Sequence, residues 1–172
     1  MAIALKGWAK AAQGEVDEGI ARMQEGLAAA RATGAQVFVP GLLALLAEGY
    51  QKAGQYDKGL SLITEALSTV ERAGERWHET ELHWLKGTLL LARSSQNEVE
   101  AEARFRQAIA VAQSQGAKSM ELRAGTSLAR LWSKQGRGIE ACGLLAPLYG
   151  WFTEGFDTAD LKEAKVLLDE LK

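Results

Sequence analysis

The stretch LAEGYQKAGQYDKGLSLITEAL, residues 46–67, decides the fold because it reads as two helical segments joined at a glycine. After the turn at Gly54, the apolar residues Leu60, Ile63 and Leu67 recur at the three- and four-residue spacing of one helix face. Glycine adopts the positive φ of a tight turn without steric cost. The stretch therefore predicts a helix–turn–helix hairpin rather than β structure.

The same arrangement occurs in three other segments, residues 6–27, 86–109 and 128–149. Small residues occupy two sets of matching positions, Gly7, Ala47, Gly87, Ala129 and Gly19, Gly59, Ala101, Ala141. Successive members of the second set are 40, 42 and 40 residues apart. A repeat of this length predicts stacked helix pairs, since one pair alone cannot bury its apolar stripe.

Glycines and one polar turn mark the predicted turns and helix ends of the repeats. The turns between the two helices of each pair are predicted at Gly14, Gly54, residues 94–97 and Gly136. The second helices are predicted to end at Gly34, Gly74 and Gly116, where a residue free to take positive φ closes the last turn. Most of the glycines therefore agree with a helical fold.

The spacing of small and aromatic residues resembles the tetratricopeptide repeat (TPR). The second repeat carries the resemblance on Ala47, Tyr50, Gly54, Gly59, Ile63 and Ala66, and the fourth carries it on Ala129, Trp132, Gly136, Ala141 and Leu145. The period is near 40 rather than the 34 residues usual for that family, and the proline that commonly ends the repeat is absent. This longer variety is similar to the repeats of bacterial regulators of the MalT type.

Three further stretches resemble the C-terminal end of large bacterial signalling proteins: residues 74–91, 121–132 and 149–171. Those proteins carry a predicted NTPase core, often with an adenylate or guanylate cyclase or a DNA-binding domain, followed by such repeats. None of their catalytic machinery lies in the matching region. The resemblance implies that this chain is a sensor or docking arm.

We predict one all-α domain over residues 1–172, a right-handed α-solenoid of about four TPR-like helix pairs with a C-terminal capping helix. The expected boundaries are repeats at 1–36, 37–76, 77–118 and 119–156, with the cap at 158–171. Thr158 or Asp157 is a suitable N-cap for this last helix. Its apolar face is expected to consist of Leu161, Ala164, Leu168 and Leu171.

The first repeat is expected to be open on its outer side. First helices of the later repeats begin about ten residues before their small residue, and the same count places the first of them before Met1. The chain therefore resembles part of a longer solenoid that is entered mid-repeat. We expect the core-type residues Ile3, Ile20 and Leu27 to be exposed at this end.

Composition and charge argue against nucleic acid and membrane as partners. The formal net charge is −2 and the pI about 5.8, so direct nucleic-acid binding is not expected. A single cysteine, Cys142, fits a reducing compartment. The N-terminal stretch lacks the pattern of a signal peptide and no apolar run approaches membrane-spanning length. We therefore expect a cytoplasmic protein with no membrane partner.

Candidate catalytic and metal-binding patterns are weak. His78 and His83 are five residues apart, which turns the second about 140° from the first, whereas a helical zinc motif needs a spacing of four. The segments around Gly14 and Gly54 lack the lysine of a phosphate-binding loop. Cys142 is expected to be a buried, inert thiol. We predict no enzyme activity, metal or cofactor.

In the TPR family the outward side of the first helices lines a concave groove. Alignment transfers that surface to Trp8, Ala44, Glu48, Gln51, Lys52, Glu81, Trp84, Thr88, Arg123, Thr126, Arg130 and Lys134. Trp84 is interpreted either as an interface anchor or as a residue packed on a neighbouring repeat. Glu81 and Arg123 are either part of the binding surface or a solvated ion pair.

The predicted function is non-catalytic protein–protein interaction, with a protein, a peptide or another domain of the same polypeptide as the partner. One alternative is self-assembly into a homodimer through the open N-terminal repeat, and another is small-molecule sensing. The aromatic residues Tyr149, Trp151, Phe152 and Phe156 are expected to pack the cap onto the array, with an exposed docking patch as the other interpretation.

Overall fold

The computed structural model describes residues 1–74 and 76–171, and within these ranges it contains only helices and connecting turns. The α-helices are α1 (Ala2–Ala12), α2 (Val16–Ala32), α3 (Val39–Lys52), α4 (Tyr56–Ala73), α5 (Glu79–Arg93), α6 (Glu98–Gln115), α7 (Lys118–Lys134), α8 (Gly138–Gly150) and α9 (Ala159–Glu170). Two 3₁₀ turns, Gln36–Phe38 and Ser95–Asn97, precede α3 and α6. Over these ranges no helix combines the length and apolarity needed to cross a bilayer.

Consecutive helices pack as four hairpins. Helices α1 and α2, α3 and α4, α5 and α6, and α7 and α8 form the pairs, and both helices of each pair pack on the first helix of the next. Helix α9 packs on α7 and α8 and closes the array. The prediction of an all-α, right-handed solenoid of about four TPR-like pairs with a C-terminal cap is confirmed.

The small residues lie where paired helices cross. A Cβ atom added at Gly19 would lie 2.6 Å from the carbonyl oxygen of Gly7, so the first crossing is backbone against backbone. At the third crossing a Cβ atom on Gly87 would lie 2.6 Å from the ring of Phe105. The close approach of the helices explains why the sequence repeats small residues at these positions.

The turns and helix ends follow the predicted glycines. Gly54 has φ 70° in the turn between α3 and α4, and Gly116 ends α6 in the left-handed conformation at φ 66°. The longer turn before α6 instead uses Ser94, whose hydroxyl oxygen accepts a hydrogen bond from the backbone N–H of Gln96. The capping helix begins after Thr158, whose side chain makes no capping hydrogen bond within the described residues.

The cap buries the face that the sequence predicts. Leu161, Ala164 and Leu168 are buried, and Leu167 joins them in the core that α9 shares with α7 and α8. This burial of apolar side chains holds the cap in place, at about 25 cal/mol for each Å² removed from water.

The open first repeat is only partly as predicted. Ile3 is exposed, but Ile20 is 8% exposed and Leu27 is 5% exposed, so the expectation of exposure for these two residues is wrong. They face α1 and α3, which enclose α2 from both sides: Ala4 lies against Gly26, and Ile20 against Gly49. The apolar stripe of α2 is therefore buried by α1 and α3 together.

Candidate protein-binding surface

The first helices of the pairs form one continuous surface. Helices α1, α3, α5 and α7 contact one another in sequence, and α9 contacts α7. The backbones of the second helices α2, α4, α6 and α8 lie farther apart over residues 1–74 and 76–171, although a side-chain ion pair between Arg31 and Glu65 joins α2 to α4. A row of helices that touch lies on the inner side of a curved stack, so the first helices and α9 form its concave face.

The residues predicted from the TPR resemblance all lie on these first helices. They are Trp8 on α1, Glu48, Gln51 and Lys52 on α3, Glu81, Trp84 and Thr88 on α5, and Arg123, Arg130 and Lys134 on α7. Two others are misplaced: Ala44 and Thr126 are buried, because the face of each helix that carries them packs into the core. The Thr126 hydroxyl donates to the backbone oxygen of Leu122 instead of facing a partner.

A hydrogen bond between α1 and α3 begins the surface. The indole N–H of Trp8 donates to Oε2 of Glu48 at 2.7 Å. Burial raises the pKa of the Glu48 carboxyl, the Trp8 bond opposes that rise, and the charge of Glu81 adds to it, while Lys52 and Arg123 act to lower the pKa. The ionised form of Glu48 is therefore less favourable in the folded chain than in the unfolded chain, despite the hydrogen bond from Trp8.

The raised pKa of Glu48 predicts a pH-dependent stability. The folded chain binds this proton more tightly than the unfolded chain, so stability falls as the pH rises from the ordinary value of 4.5 through the raised one. Glu48→Gln keeps an oxygen that accepts from Trp8 and removes the charge. We expect the variant to be more stable than the parent at pH 7, by about 1 kcal/mol or less.

Urea unfolding from pH 4 to pH 8 measures this difference, which should vanish below pH 4.5. The control is Glu25→Gln, which removes an exposed carboxylate of α2 and should change stability little at any pH. A Glu48→Gln variant less stable than the parent at pH 7 would mean that attraction to Lys52 and Arg123 outweighs burial.

Trp84 is a packing residue of the concave face. Its indole N–H donates to Oγ of Ser127 on α7 at 2.9 Å, and its half-buried ring contacts both core clusters. The guanidinium carbon of Arg123 lies 5.5 Å from the ring centroid. Of the two interpretations of Trp84, packing on the neighbouring repeat is the observed one, and the exposed remainder of the ring still forms part of the surface.

Arg123 pairs with the cap rather than with Glu81. Its Nε and Nη2 donate to the two carboxylate oxygens of Asp160 on α9, at 3.1 and 2.8 Å. The carboxylate of Glu81 instead lies 3.7 Å from Nδ1 of His78. The solvated Glu81–Arg123 pair is therefore not formed, because the forked geometry of arginine suits Asp160 better.

Two hollows remain accessible along the concave face. One, of about 490 Å³, lies between α3 and α5 and is lined by Glu48, Gln51, Lys52 and Trp84. The other, of about 400 Å³, lies between α5 and α7 and is lined by Thr88, Arg130 and Lys134. Lys52 and Lys134 are exposed and make no ion pair within the described part of the chain. Each hollow thus presents an ammonium group that makes no ion pair among the described residues, beside partly apolar walls and one carboxylate, Glu48 in the first hollow and Glu98 in the second.

Solved structures share the helical architecture of this chain. A crystal structure of nearly identical TPR-like repeats from Podosopora anserina superposes with a TM-score of 0.76 at 17% identity, covering 99% of this chain and 83% of that one. A point variant of the same protein gives a TM-score of 0.77 with the same coverage and identity. The chain has a TPR-type fold.

Sequence comparison finds a longer relative of this chain but no matching family model. No protein-family model matches the sequence. An uncharacterised protein of Rhizobium meliloti (strain 1021) is 32% identical over 131 residues, which is 76% of this chain. The match spans 13% of the length of that protein.

The residues that could act as metal ligands or nucleophiles do not form a common site in the described part of the chain. No group of three or more possible metal ligands occurs over the described ranges. The ring of His78 packs against Gly41, whereas His83 is buried on the opposite face of α5. Cys142 is half-buried rather than fully buried, since it lies at the edge of the second core cluster.

The aromatic cluster before the cap divides into two parts. Tyr149 and Phe152 pack against the core, as predicted for residues that seat the cap. Trp151 and Phe156 are exposed, which corrects the expectation for these two, although their rings pack on Phe152 and Tyr149 at centroid distances of 5.1 and 5.9 Å. Trp151 lies beside Lys118, whose Nζ is 5.9 Å from the ring centroid.

Proposed function

We propose that this chain is a non-catalytic protein-interaction domain whose concave face, formed by α1, α3, α5, α7 and α9, binds an acidic segment of a partner protein. The observation that carries the proposal is the pair of open hollows, each with an exposed lysine that makes no ion pair among the described residues. Lys52 and Lys134 supply the positive charge, and the rings and aliphatic walls beside them supply apolar contact.

The rigidity of the face supports this proposal. The Trp8–Glu48, Trp84–Ser127 and Arg123–Asp160 bonds each join neighbouring helices of the row. Side chains that are already fixed lose little entropy when a partner binds, so a preformed surface gains affinity. The same residues therefore shape the hollows rather than bind the partner directly.

The parent context is part of the proposal. We propose that the repeats, taken as 1–36, 37–76, 77–118 and 119–156 with the cap at 158–171, serve as a docking or sensor arm of a bacterial signalling or transcription regulator that acts in the cytoplasm. The relative in Rhizobium meliloti is several times longer than the matching region, which agrees with a repeat array inside a larger chain. The partner is then another protein or another domain of the same polypeptide.

Charge reversal in the hollows tests the proposed surface. Lys52→Glu with Lys134→Glu should abolish capture of partner proteins from bacterial lysate by the immobilised domain, because each change places a carboxylate against an acidic partner. The control is Lys58→Glu with Arg72→Glu, which makes the same change in net charge on exposed positions of the outer helix α4. The proposal is wrong if both variants capture the same proteins as the parent.

Self-assembly is a second candidate, and it rests on one observation. Met1, Ile3 and Leu5 of α1 are exposed apolar residues at one end of the array. Exposed apolar patches tend to pair. Light scattering of the purified chain over a range of concentrations distinguishes this candidate: a dimer that Leu5→Glu disrupts would support it, and a monomer at every concentration would exclude it.

A further inference from the structure

A cleft lies on the outer face of the array, between the second helices α4 and α6. The two helices do not contact each other within the described residues, and α5 forms the floor between them. The cleft has a volume of about 470 Å³, with Val70 and Glu71 on the α4 side, Arg104 on the α6 side and His83 on the floor. It is separate from the concave face, so an inference about it stands or falls independently of the proposed protein partner.

Two residues that line this cleft each carry a buried polar atom without a hydrogen-bond partner in the described chain: Nδ1 of His83 and Nε of Arg104. His83 is only 8% exposed. An arginine Nε–H is a donor and never an acceptor. A buried donor without an acceptor is unfavourable, and an acceptor from outside the protein that draws the partly exposed Arg104 side chain towards the cleft would remove this cost.

The repeat itself shows that the scaffold does not need polar residues here. His83 lies four residues before Gly87, as Leu43 lies four before Ala47, and Arg104 lies three after Ala101, as Leu62 lies three after Gly59. The second repeat thus fills the two matching positions with leucines, and Leu43 is fully buried. The third repeat has an imidazole and a guanidinium where an apolar pair suffices for packing.

The charges around the cleft favour an anion. Glu79 is already engaged by Arg76, whose Nη2 donates to its Oε1 at 3.2 Å. The carboxylate that Arg104 approaches, that of Glu100, is 3.7 Å away. Burial lowers the pKa of His83 and the charge of Arg104 lowers it further, while Glu79, whose Oε1 lies 3.9 Å from Nε2 of His83, opposes this shift. Burial and Arg104 also lower the pKa of Lys86, and Glu100 opposes them. Because the guanidinium of Arg104 disfavours protonation of both His83 and Lys86, its positive charge is only partly neutralised by nearby carboxylates.

We propose that this cleft binds a small anion through a single carboxylate or phosphate group, whose oxygens accept hydrogen bonds from Nε of Arg104 and from the imidazole of His83. A group that brings both oxygens and negative charge satisfies the buried donor and neutralises the guanidinium. The exposed carboxylate of Glu71 at the rim disfavours ligands with several negative charges, and Val70 offers contact to a short apolar tail.

Nuclear magnetic resonance of the two histidine side chains tests this site. The probes are inorganic phosphate and butyrate, each titrated into the intact chain against sodium chloride at matched ionic strength. The imidazole signals of His83 should shift and saturate with one or both probes, and the pKa of His83 should rise when the probe is bound. His78, the other histidine of the chain, lies outside the cleft and should respond as it does to chloride.

The two probes distinguish the sources of the anionic group. Saturation with phosphate alone assigns a phosphate ligand, and saturation with butyrate alone assigns a carboxylate. Arg104→Leu, which copies the residue of the second repeat, should weaken binding by about tenfold or more. The control is Arg22→Leu, at the same repeat position on α2.

The site does not exist if neither probe moves the His83 signals more than chloride does. It is also excluded if Arg104→Leu binds as tightly as the parent. Arg104→Gln, which keeps a polar side chain, replaces the leucine variant if the latter does not fold.

Discussion

Replacing Phe105 by alanine is expected to lower the free energy of unfolding by about 3–5 kcal/mol, the cost of emptying a large aromatic site in a packed core. Phe105 is 1% exposed and its ring fills the space that Gly87 leaves where α5 crosses α6. Urea unfolding followed by circular dichroism measures the loss. Val99→Ala on the same helix is the control, because Val99 is 84% exposed and its truncation should change stability by about 0.5 kcal/mol or less.

The same crossing predicts a change of sign in a double-mutant cycle. Gly87→Ala in the parent places a methyl group against the Phe105 ring and should destabilise the fold. In the Phe105→Ala background that methyl group enters empty space, and alanine should then stabilise α5 by up to about 1 kcal/mol. Equal effects of Gly87→Ala in both backgrounds would mean that the ring does not pack on this glycine.

Gly19→Ala is expected to lower the free energy of unfolding by about 1–3 kcal/mol, even though alanine is the better helix former. The new Cβ atom would lie 2.6 Å from the carbonyl oxygen of Gly7 and 2.8 Å from the backbone nitrogen of Ala11. Backbone atoms cannot move aside as a flexible side chain does, so α1 would have to shift away from α2.

Gly143→Ala provides the matched comparison. Gly143 also lies inside a helix, α8, but a Cβ atom there would have no neighbour within 4 Å among the described residues. The substitution should therefore stabilise the protein by up to about 1 kcal/mol. Thermal unfolding of both variants is the measurement, and destabilisation by Gly143→Ala, or stabilisation by Gly19→Ala, would contradict the proposed role of the helix crossings.

The sequence is most informative where one residue type is physically required. Gly54 and Gly116 mark turns that need positive φ, and Gly19 marks a crossing too close for a side chain, so the helix pairs follow from local rules. The apolar face of α9 follows from helical spacing in the same way. These features come from interactions between residues that are close in sequence or that recur with the repeat.

The contacts of the concave face depend on pairs that no local rule identifies. Arg123 binds Asp160, which is 37 residues away, and Trp84 donates to Ser127, 43 residues away. A charged residue on a helix surface has many possible partners, and the choice depends on how neighbouring helices are rotated. For this reason the repeat predicts which helices carry the candidate residues, whereas it does not predict that Arg123 binds Asp160.

The outer cleft carried no recognisable motif either. His83 and Arg104 belong to different helices, and their spacing in the sequence matches no ligand-binding motif. In the sequence, His83 is part only of the incomplete zinc motif with His78. Comparison between repeats contains the relevant signal, since the matching residues of the second repeat are Leu43 and Leu62. The sequence difference points to a binding site only once the structure places both polar side chains at one cleft.

Site-specific photo-crosslinking tests most directly the claim that the concave face binds the partner. A photoreactive amino acid is placed at Gln51, in the hollow between α3 and α5, or at Ser61, on the exposed side of α4, and the chain is irradiated in bacterial cells. The proposed function predicts covalent adducts with a partner protein from position 51 and none from position 61. Adducts from position 61 alone, or equally from both positions, would contradict a binding site on the concave face.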